Sequence, residues 1–98
     1  MEFHLLMQNN DLIVFKESTI IRAAKALEPG NKPSDAVFYM QLEIENSYDD
    51  ISSNAPSFGT SDPYLGICGI LGTTDFFQID GDSSWYSCKA VVKVTVIN

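Results

Sequence analysis

The C-terminal part of the chain has the strongest periodic pattern in the sequence, and this pattern limits what the chain can fold into. From Tyr86 to Val96 the even-numbered residues are apolar, whereas Lys89 and Lys93 occupy odd positions. A repeat of two residues is that of a β-strand with one buried face. The sequence Asp-Gly-Asp-Ser at 80–83 is a turn signal, so we expect a hairpin that places Phe77 opposite Tyr86.

Three more strands are predicted nearer the N-terminus. Residues 3–7 alternate, residues 12–15 form a continuous apolar run, and the intervening Asn-Asn-Asp has turn chemistry, which predicts an N-terminal hairpin. Residues 36–45 alternate cleanly, with apolar side chains at even positions and a tyrosine and two carboxylates among the odd ones. This pattern predicts a half-buried strand whose even-numbered residues face the core.

Residues 64–71 are predicted as a further strand, paired with the C-terminal one. A four-residue hairpin loop would place Leu71 opposite Val92 and Ile67 opposite Val96, all on one face. Glycines recur every third residue in this region. Their spacing is not that of a phosphate-binding loop and no helix is expected after them, so we exclude a nucleotide motif.

One helix is expected, over residues 19–28, because apolar residues there share one arc and Arg22 and Lys25 lie opposite. Residues 46–63 show no sustained period and are predicted as a long irregular loop. The chain of 98 residues is therefore expected to form a single compact domain over 1–98. Its predicted class is α+β: an antiparallel, curved sheet of five or six strands with one short helix packed on one face.

Charge is distributed unevenly along the chain. Residues 33–88 hold nine acids and no Lys or Arg, and the net charge of the whole chain is −7. Such a balance disfavours direct binding to the phosphate backbone of nucleic acid. If folding gathers these acids on one face, their field would steer a basic partner, whereas dispersed acids would serve solubility.

The residues that could support catalysis or metal binding are few. His4 is the sole histidine, and it needs a nucleophile or an orienting acid beside it to act as a base. Cys68 and Cys88 fall on opposite faces of the predicted sheet, so we expect two small buried hydrophobic side chains rather than a disulfide. The acids at 80–82 lack the length of a calcium loop. No enzyme activity, cofactor or metal is therefore expected.

The candidate partner-binding residues are the acids of the base-free stretch and the aromatic side chains set among them. Aromatic residues surrounded by polar groups are typical anchors of protein interfaces. We expect the loop and the outer sheet face to supply them: Tyr39, Glu43, Glu45, Tyr48, Asp49, Asp50, Phe58, Asp62, Phe76, Asp80, Asp82 and Trp85.

These observations together favour a non-catalytic acidic protein-binding module. The expected partner is a basic, nucleic-acid-handling protein, and the expected role is that of an inhibitor or immunity protein acting on a toxin or a host defence complex. A structural or self-assembling module, such as a virion component or a homodimer, is the first alternative, and a small-ligand binder is the second. The chain lacks an apolar run of about 20 residues and a signal-peptide pattern, which favours a cytoplasmic protein without membrane contact.

Overall fold

The computed structural model describes residues 1–26, 40–54 and 62–98, and within them the chain forms two antiparallel sheets and two helices. The α+β class is confirmed, but the single curved sheet of five or six strands is wrong. One sheet has three strands in the order β2-β1-β7, and the other has four in the order β4-β3-β5-β6. The elements are β1 (Glu2–Met7), β2 (Leu12–Lys16), β3 (Ile20–Ala26), β4 (Met40–Ser47), α1 (Tyr48–Asn54), α2 (Pro63–Thr73), β5 (Phe76–Ile79), β6 (Tyr86–Ser87) and β7 (Val91–Ile97).

The N-terminal hairpin is confirmed. β1 and β2 pair antiparallel, with Phe3 opposite Phe15 and Leu5 opposite Ile13. Asn10 in the connecting turn has a positive φ of 70°, a conformation that asparagine tolerates better than most residues. The alternation of the two strands then places all four of these apolar side chains in the core.

The predicted C-terminal strand is divided between the two sheets. Its first part, β6, pairs with β5, and Phe77 lies opposite Tyr86 as the turn sequence predicted. A short 3₁₀ turn over Cys88–Ala90 then redirects the chain, so that β7 pairs with β1 in the other sheet. A strand that changes sheets at such a corner joins two layers with one continuous apolar pattern.

The helix predicted over residues 19–28 is wrong, because residues 20–26 form β3. This strand has neighbours on both sides, and Ile21 and Ala23 alternate inward while Arg22 points outward. A ten-residue segment has little helical stability of its own, so pairing along both edges decides its structure. Residues 27 and 28 lie outside the described residues.

The strand predicted over residues 64–71 is also wrong, because this segment belongs to α2. Asp62 caps the helix by accepting a hydrogen bond from the Tyr64 amide at 2.9 Å, and a proline follows the cap. Both features stabilise a helix start. Ile67 and Ile70 are buried on one side of the helix, so the predicted pairings of residues 67 and 71 with β7 do not form.

The expected loop at 46–63 is partly regular. Residues 46 and 47 end β4 and residues 48–54 form α1, whereas residues 55–61 lie outside the described part of the chain. The strand predicted over 36–45 is observed from residue 40 to residue 47, and residues 36–39 are likewise outside the described part.

A single buried cluster joins both sheets and α2. Its largest fully buried side chains are Phe3, Leu5, Ile67 and Phe77. Among the described residues, no helix is long and apolar enough to cross a membrane. That same part of the chain contains no group of three or more His, Cys, Asp or Glu side chains placed to hold a metal ion.

Candidate functional site

A β-bulge in β4 turns apolar side chains away from the core. Ala23 of β3 lies opposite Ile44, but the next residue, Ala24, lies opposite Leu42, so Glu43 is the extra residue of the bulge. An extra residue reverses which face the following side chains occupy. Ile44 is consequently half-buried against the core, whereas Leu42 is 46% exposed on the opposite face.

The outer face of the four-stranded sheet therefore carries an apolar groove of about 640 Å³, which we call the outer-face groove. Its apolar walls come from three strands and the residue that precedes β6. The large side chains that line it keep 37–46% of their surface exposed: Met40, Leu42, Phe76 and Trp85. Large exposed apolar side chains gathered in one depression are typical of interaction sites, so this groove is the candidate site.

The two aromatic residues of the groove are placed by the β5–β6 hairpin. Phe76 and Phe77 are adjacent in β5 and point to opposite faces, and Phe77 contacts Tyr86 with ring centroids 5.5 Å apart. Trp85 precedes Tyr86 and lines the groove together with Phe76. The hairpin pattern in the sequence predicted this separation, with Phe76 and Trp85 on the face away from Tyr86.

Arg22 borders the groove and joins two acids from neighbouring strands. Its Nε donates to Glu45 Oε2 at 2.8 Å, and its Nη1 lies 3.2 Å from Asp80 Oδ1. The hydrogen bond to Glu45, and to a smaller extent the one to Asp80, raises the pKa of the Arg22 guanidinium. The expectation of a base-free acidic patch is therefore corrected at this point, because β3 brings a base from outside the base-free stretch between two of its acids.

Other acids of the predicted site stabilise local structure. Asp82 accepts hydrogen bonds from the Tyr86 hydroxyl and, at 3.0 Å, from the Ser84 amide, and these bonds, that of Tyr86 first, lower the pKa of Asp82. Asp49 and Asp50 occupy the first turn of α1, where a negative charge is favourable to the helix dipole. These residues have structural roles in the free protein.

The remaining predicted residues are dispersed. Tyr48 is 6% exposed and its ring lies 5.0 Å from that of Phe3, so it supports the core instead of presenting a contact surface. Asp62 caps α2, on a different element from the groove. Glu43 is exposed at the bulge. Tyr39 and Phe58 lie outside the described residues.

Both cysteines are free thiols, and the expectation that both are buried holds for only one of them. Cys88 is buried, which raises the pKa of its thiol and makes it unreactive, whereas Cys68 is exposed on α2. Cys68 follows the buried Ile67 in α2 and lies on the exposed side of that helix.

Sequence reasoning missed Met40, Leu42 and Arg22 as members of the site. The alternation of residues 36–45 predicted that Met40 and Leu42 face the core, and the bulge that reverses them lacks a glycine or proline signal. No protein-family model matches the chain, and comparison with curated proteins and with solved structures gave no significant match.

Proposed function

We propose that this chain is a non-catalytic, acidic protein-binding module that holds a basic protein partner on its outer-face groove, in the manner of an inhibitor or immunity protein. The observation that carries the proposal is the exposed apolar groove in which Phe76 and Trp85 lie together, 41% and 45% exposed, on the outer face of the four-stranded sheet. Tryptophan is among the residues most enriched at the energetic centres of protein interfaces.

The surroundings of the groove resemble the anatomy of a protein interface. An apolar centre is bordered by charged groups, here Arg22 and Glu45, and Arg22 also contacts Asp80. Apolar centres supply most of the affinity in such interfaces, and the polar rim fixes orientation. Small molecules, by contrast, are held in concave sites that enclose most of their surface.

The charge of the chain supports a basic partner. The net charge is −7, and Arg22, the one base among the described residues that line the groove, is paired with the Glu45 and Asp80 carboxylates. Charge of this kind accelerates the encounter with a positively charged protein more than it tightens the complex. An acidic partner would meet repulsion on approach.

The proposal is tested with immobilised wild-type protein and two variants, in extracts of the cells that make this protein. Trp85→Ser removes an aromatic side chain that lines the groove, and Val92→Ser removes an apolar side chain that is 62% exposed on β7. We expect a protein of basic isoelectric point to be retained by the wild type and by Val92→Ser and lost with Trp85→Ser. Retention of the same proteins by all three would contradict the proposal.

The electrostatic part has its own test, once that partner is purified. The association rate constant should fall steeply as salt is raised from about 0.05 M to about 0.5 M, because the Debye length shortens. An association rate that does not depend on salt would remove the steering argument and leave only the apolar one.

A small apolar ligand is the second candidate, because a groove of about 640 Å³ has the volume of many ligand sites. A ligand that binds there would raise the melting temperature of the wild type and of Val92→Ser but not that of Trp85→Ser. The self-assembling alternative predicts a dimer in sedimentation at micromolar concentration, whereas our proposal predicts a monomer.

A further inference from the structure

Within the described residues, no further strand pairs with β4 on the side away from β3, and this edge faces a second depression, between β4 and α2, which we call the edge groove. It has a volume of about 590 Å³. We infer that the edge groove receives an extended segment of the basic partner, which pairs with β4 as an added strand and carries Lys or Arg side chains. This inference rests on the proposed function for its basic partner and adds how the partner chain is held.

The first support is the backbone of β4. In the described part of the chain, β4 is the outermost strand of its sheet and has β3 as its neighbour. The Ile20 carbonyl of β3 accepts from the Asp80 amide, on the side away from β4. Successive residues of an antiparallel strand direct their amide and carbonyl groups to opposite sides. Ile21 and Ala23 therefore direct theirs to β4, where they bond to the residues opposite them. Glu45, opposite Arg22, therefore directs its own amide and carbonyl to the open edge.

The second support is the floor of the edge groove. Ile44 and Ile51 are half-buried there, Ile70 is buried, and Leu65 is 61% exposed on α2. A strand laid along β4 would place every second side chain over these apolar residues. Recognition by strand addition takes affinity from backbone bonds and specificity from such alternate contacts.

The third support is charge complementarity. Glu43 and Glu45 line the edge groove, and none of the described residues that line it is Lys or Arg. Glu43 is the bulged residue and is exposed. Edge strands are commonly protected from unwanted pairing by charge. Glu45 is paired with Arg22 on the outer face, so the exposed Glu43 carboxylate is the charge that disfavours acidic segments and favours basic ones.

The test uses a probe peptide and nitrogen-15 NMR of the full chain. The probe is a capped ten-residue peptide in which Lys alternates with Val, and the controls are the same peptide with Glu in place of Lys and a version N-methylated on alternate amides. We expect saturable shifts of the β4 and α2 amides with the Lys peptide and none with the Glu peptide. N-methylation should weaken binding about two- to twelvefold for each backbone bond that it removes.

Two glycines of α2 provide a matched pair of variants. A Cβ added at Gly69 or at Gly72 would meet nothing within 4 Å, so both positions accept a side chain. Gly69 lines the edge groove, whereas Gly72 lines a depression on the β7 side of the helix. Gly69→Leu should abolish the saturable shifts and Gly72→Leu should preserve them. Glu43→Gln should weaken peptide binding about 1.4- to fivefold, the range for one exposed charge pair.

Hydrogen exchange of the free protein tests whether the edge is open. The Glu45 amide should exchange much faster than the amides of Ile44 and Asn46, which bond to β3. A protected Glu45 amide would overturn the inference, because it would show that the edge is already paired with another part of this chain or with a second copy. Absence of saturable shifts with the Lys peptide at millimolar concentration would also overturn it.

The two proposals fail separately. If Trp85→Ser loses the partner but the peptide does not bind β4, the edge inference is wrong and the outer-face groove stands. If the peptide binds β4 and Trp85→Ser retains the partner, the outer-face groove is wrong.

Discussion

Phe76 and Phe77 are adjacent in β5 but differ in exposure, and this contrast gives a quantitative test of the outer-face groove. Phe77 is 1% exposed and Phe76 is 41% exposed. Full burial of a Phe side chain contributes about 1.5–3 kcal/mol. About three-fifths of Phe76 is buried, so Phe76→Ala should lower the free energy of unfolding by about 1–2 kcal/mol. Phe77→Ala also leaves a cavity and should cost about 3–5 kcal/mol.

The assay is urea denaturation followed by far-ultraviolet circular dichroism and by the fluorescence of Trp85, the sole tryptophan. The dependence of the free energy on urea should have the same slope in the wild type and in Phe76→Ala. A domain of this size has a total stability of about 5–15 kcal/mol, so the loss in Phe77→Ala should move its unfolding midpoint to a clearly lower urea concentration. Equal losses in the two variants, or a larger loss in Phe76→Ala, would refute the assignment of the two faces.

Three further substitutions test other parts of the structure. Gly69→Ala should raise the free energy of unfolding by about 0.5–1 kcal/mol, because alanine loses less backbone entropy than glycine in a helix and its Cβ has free space here. A lower melting temperature would contradict a helix at this position. The Tyr64 hydroxyl accepts a hydrogen bond from the outward-facing Val96 amide at 3.1 Å and so covers the edge of β7. Tyr64→Phe should therefore lower the free energy of unfolding by about 1 kcal/mol and promote concentration-dependent association in sedimentation. A variant that stays monomeric would count against this. The hydrogen bond from Tyr86 lowers the pKa of Asp82, so the stability from this pair is present above the ordinary carboxyl pKa and is lost as pH falls through the lowered one. The difference in free energy of unfolding between the wild type and Tyr86→Phe should therefore shrink as pH is lowered from about 7 to about 2. A difference that stays constant would exclude this linkage.

The two hairpins were predictable because their signals are local. Asn10 and Gly81 both adopt positive φ, 70° and 91°, and short polar residues or glycine at such positions mark tight turns in a sequence. Once the turn at Gly81 is set, the period of two residues determines that Phe76 and Trp85 point away from Phe77. This part of the candidate site therefore followed from the sequence.

Local patterns did not predict that residues 20–26 form a strand and residues 64–71 lie in a helix. Residues 20–26 and 64–71 are both short, apolar and compatible with either period, so tertiary contacts decide between them. β3 gains hydrogen-bonded neighbours on both sides. The cap at Asp62 and the following proline were present in the sequence and indicate a helix start, but the glycines of α2 disguised it.

The remaining part of the site depends on contacts between distant segments. The bulge at Glu43 has no sequence signal, and it alone decides that Met40 and Leu42 face outward. The position of Arg22 between two acids depends on the order of β4, β3 and β5. A run of acids along the chain does not predict a base-free surface, because strands from other segments lie between them.

Site-specific photo-crosslinking in the cells that make this protein tests the proposed function most directly. A photoreactive phenylalanine analogue is placed at Trp85 in one variant and at Val92 in another, and the adducts are identified by mass spectrometry. The proposed function predicts an adduct with a basic protein through position 85 and none through position 92. Adducts with other copies of this chain, or the same adducts from both positions, would contradict it.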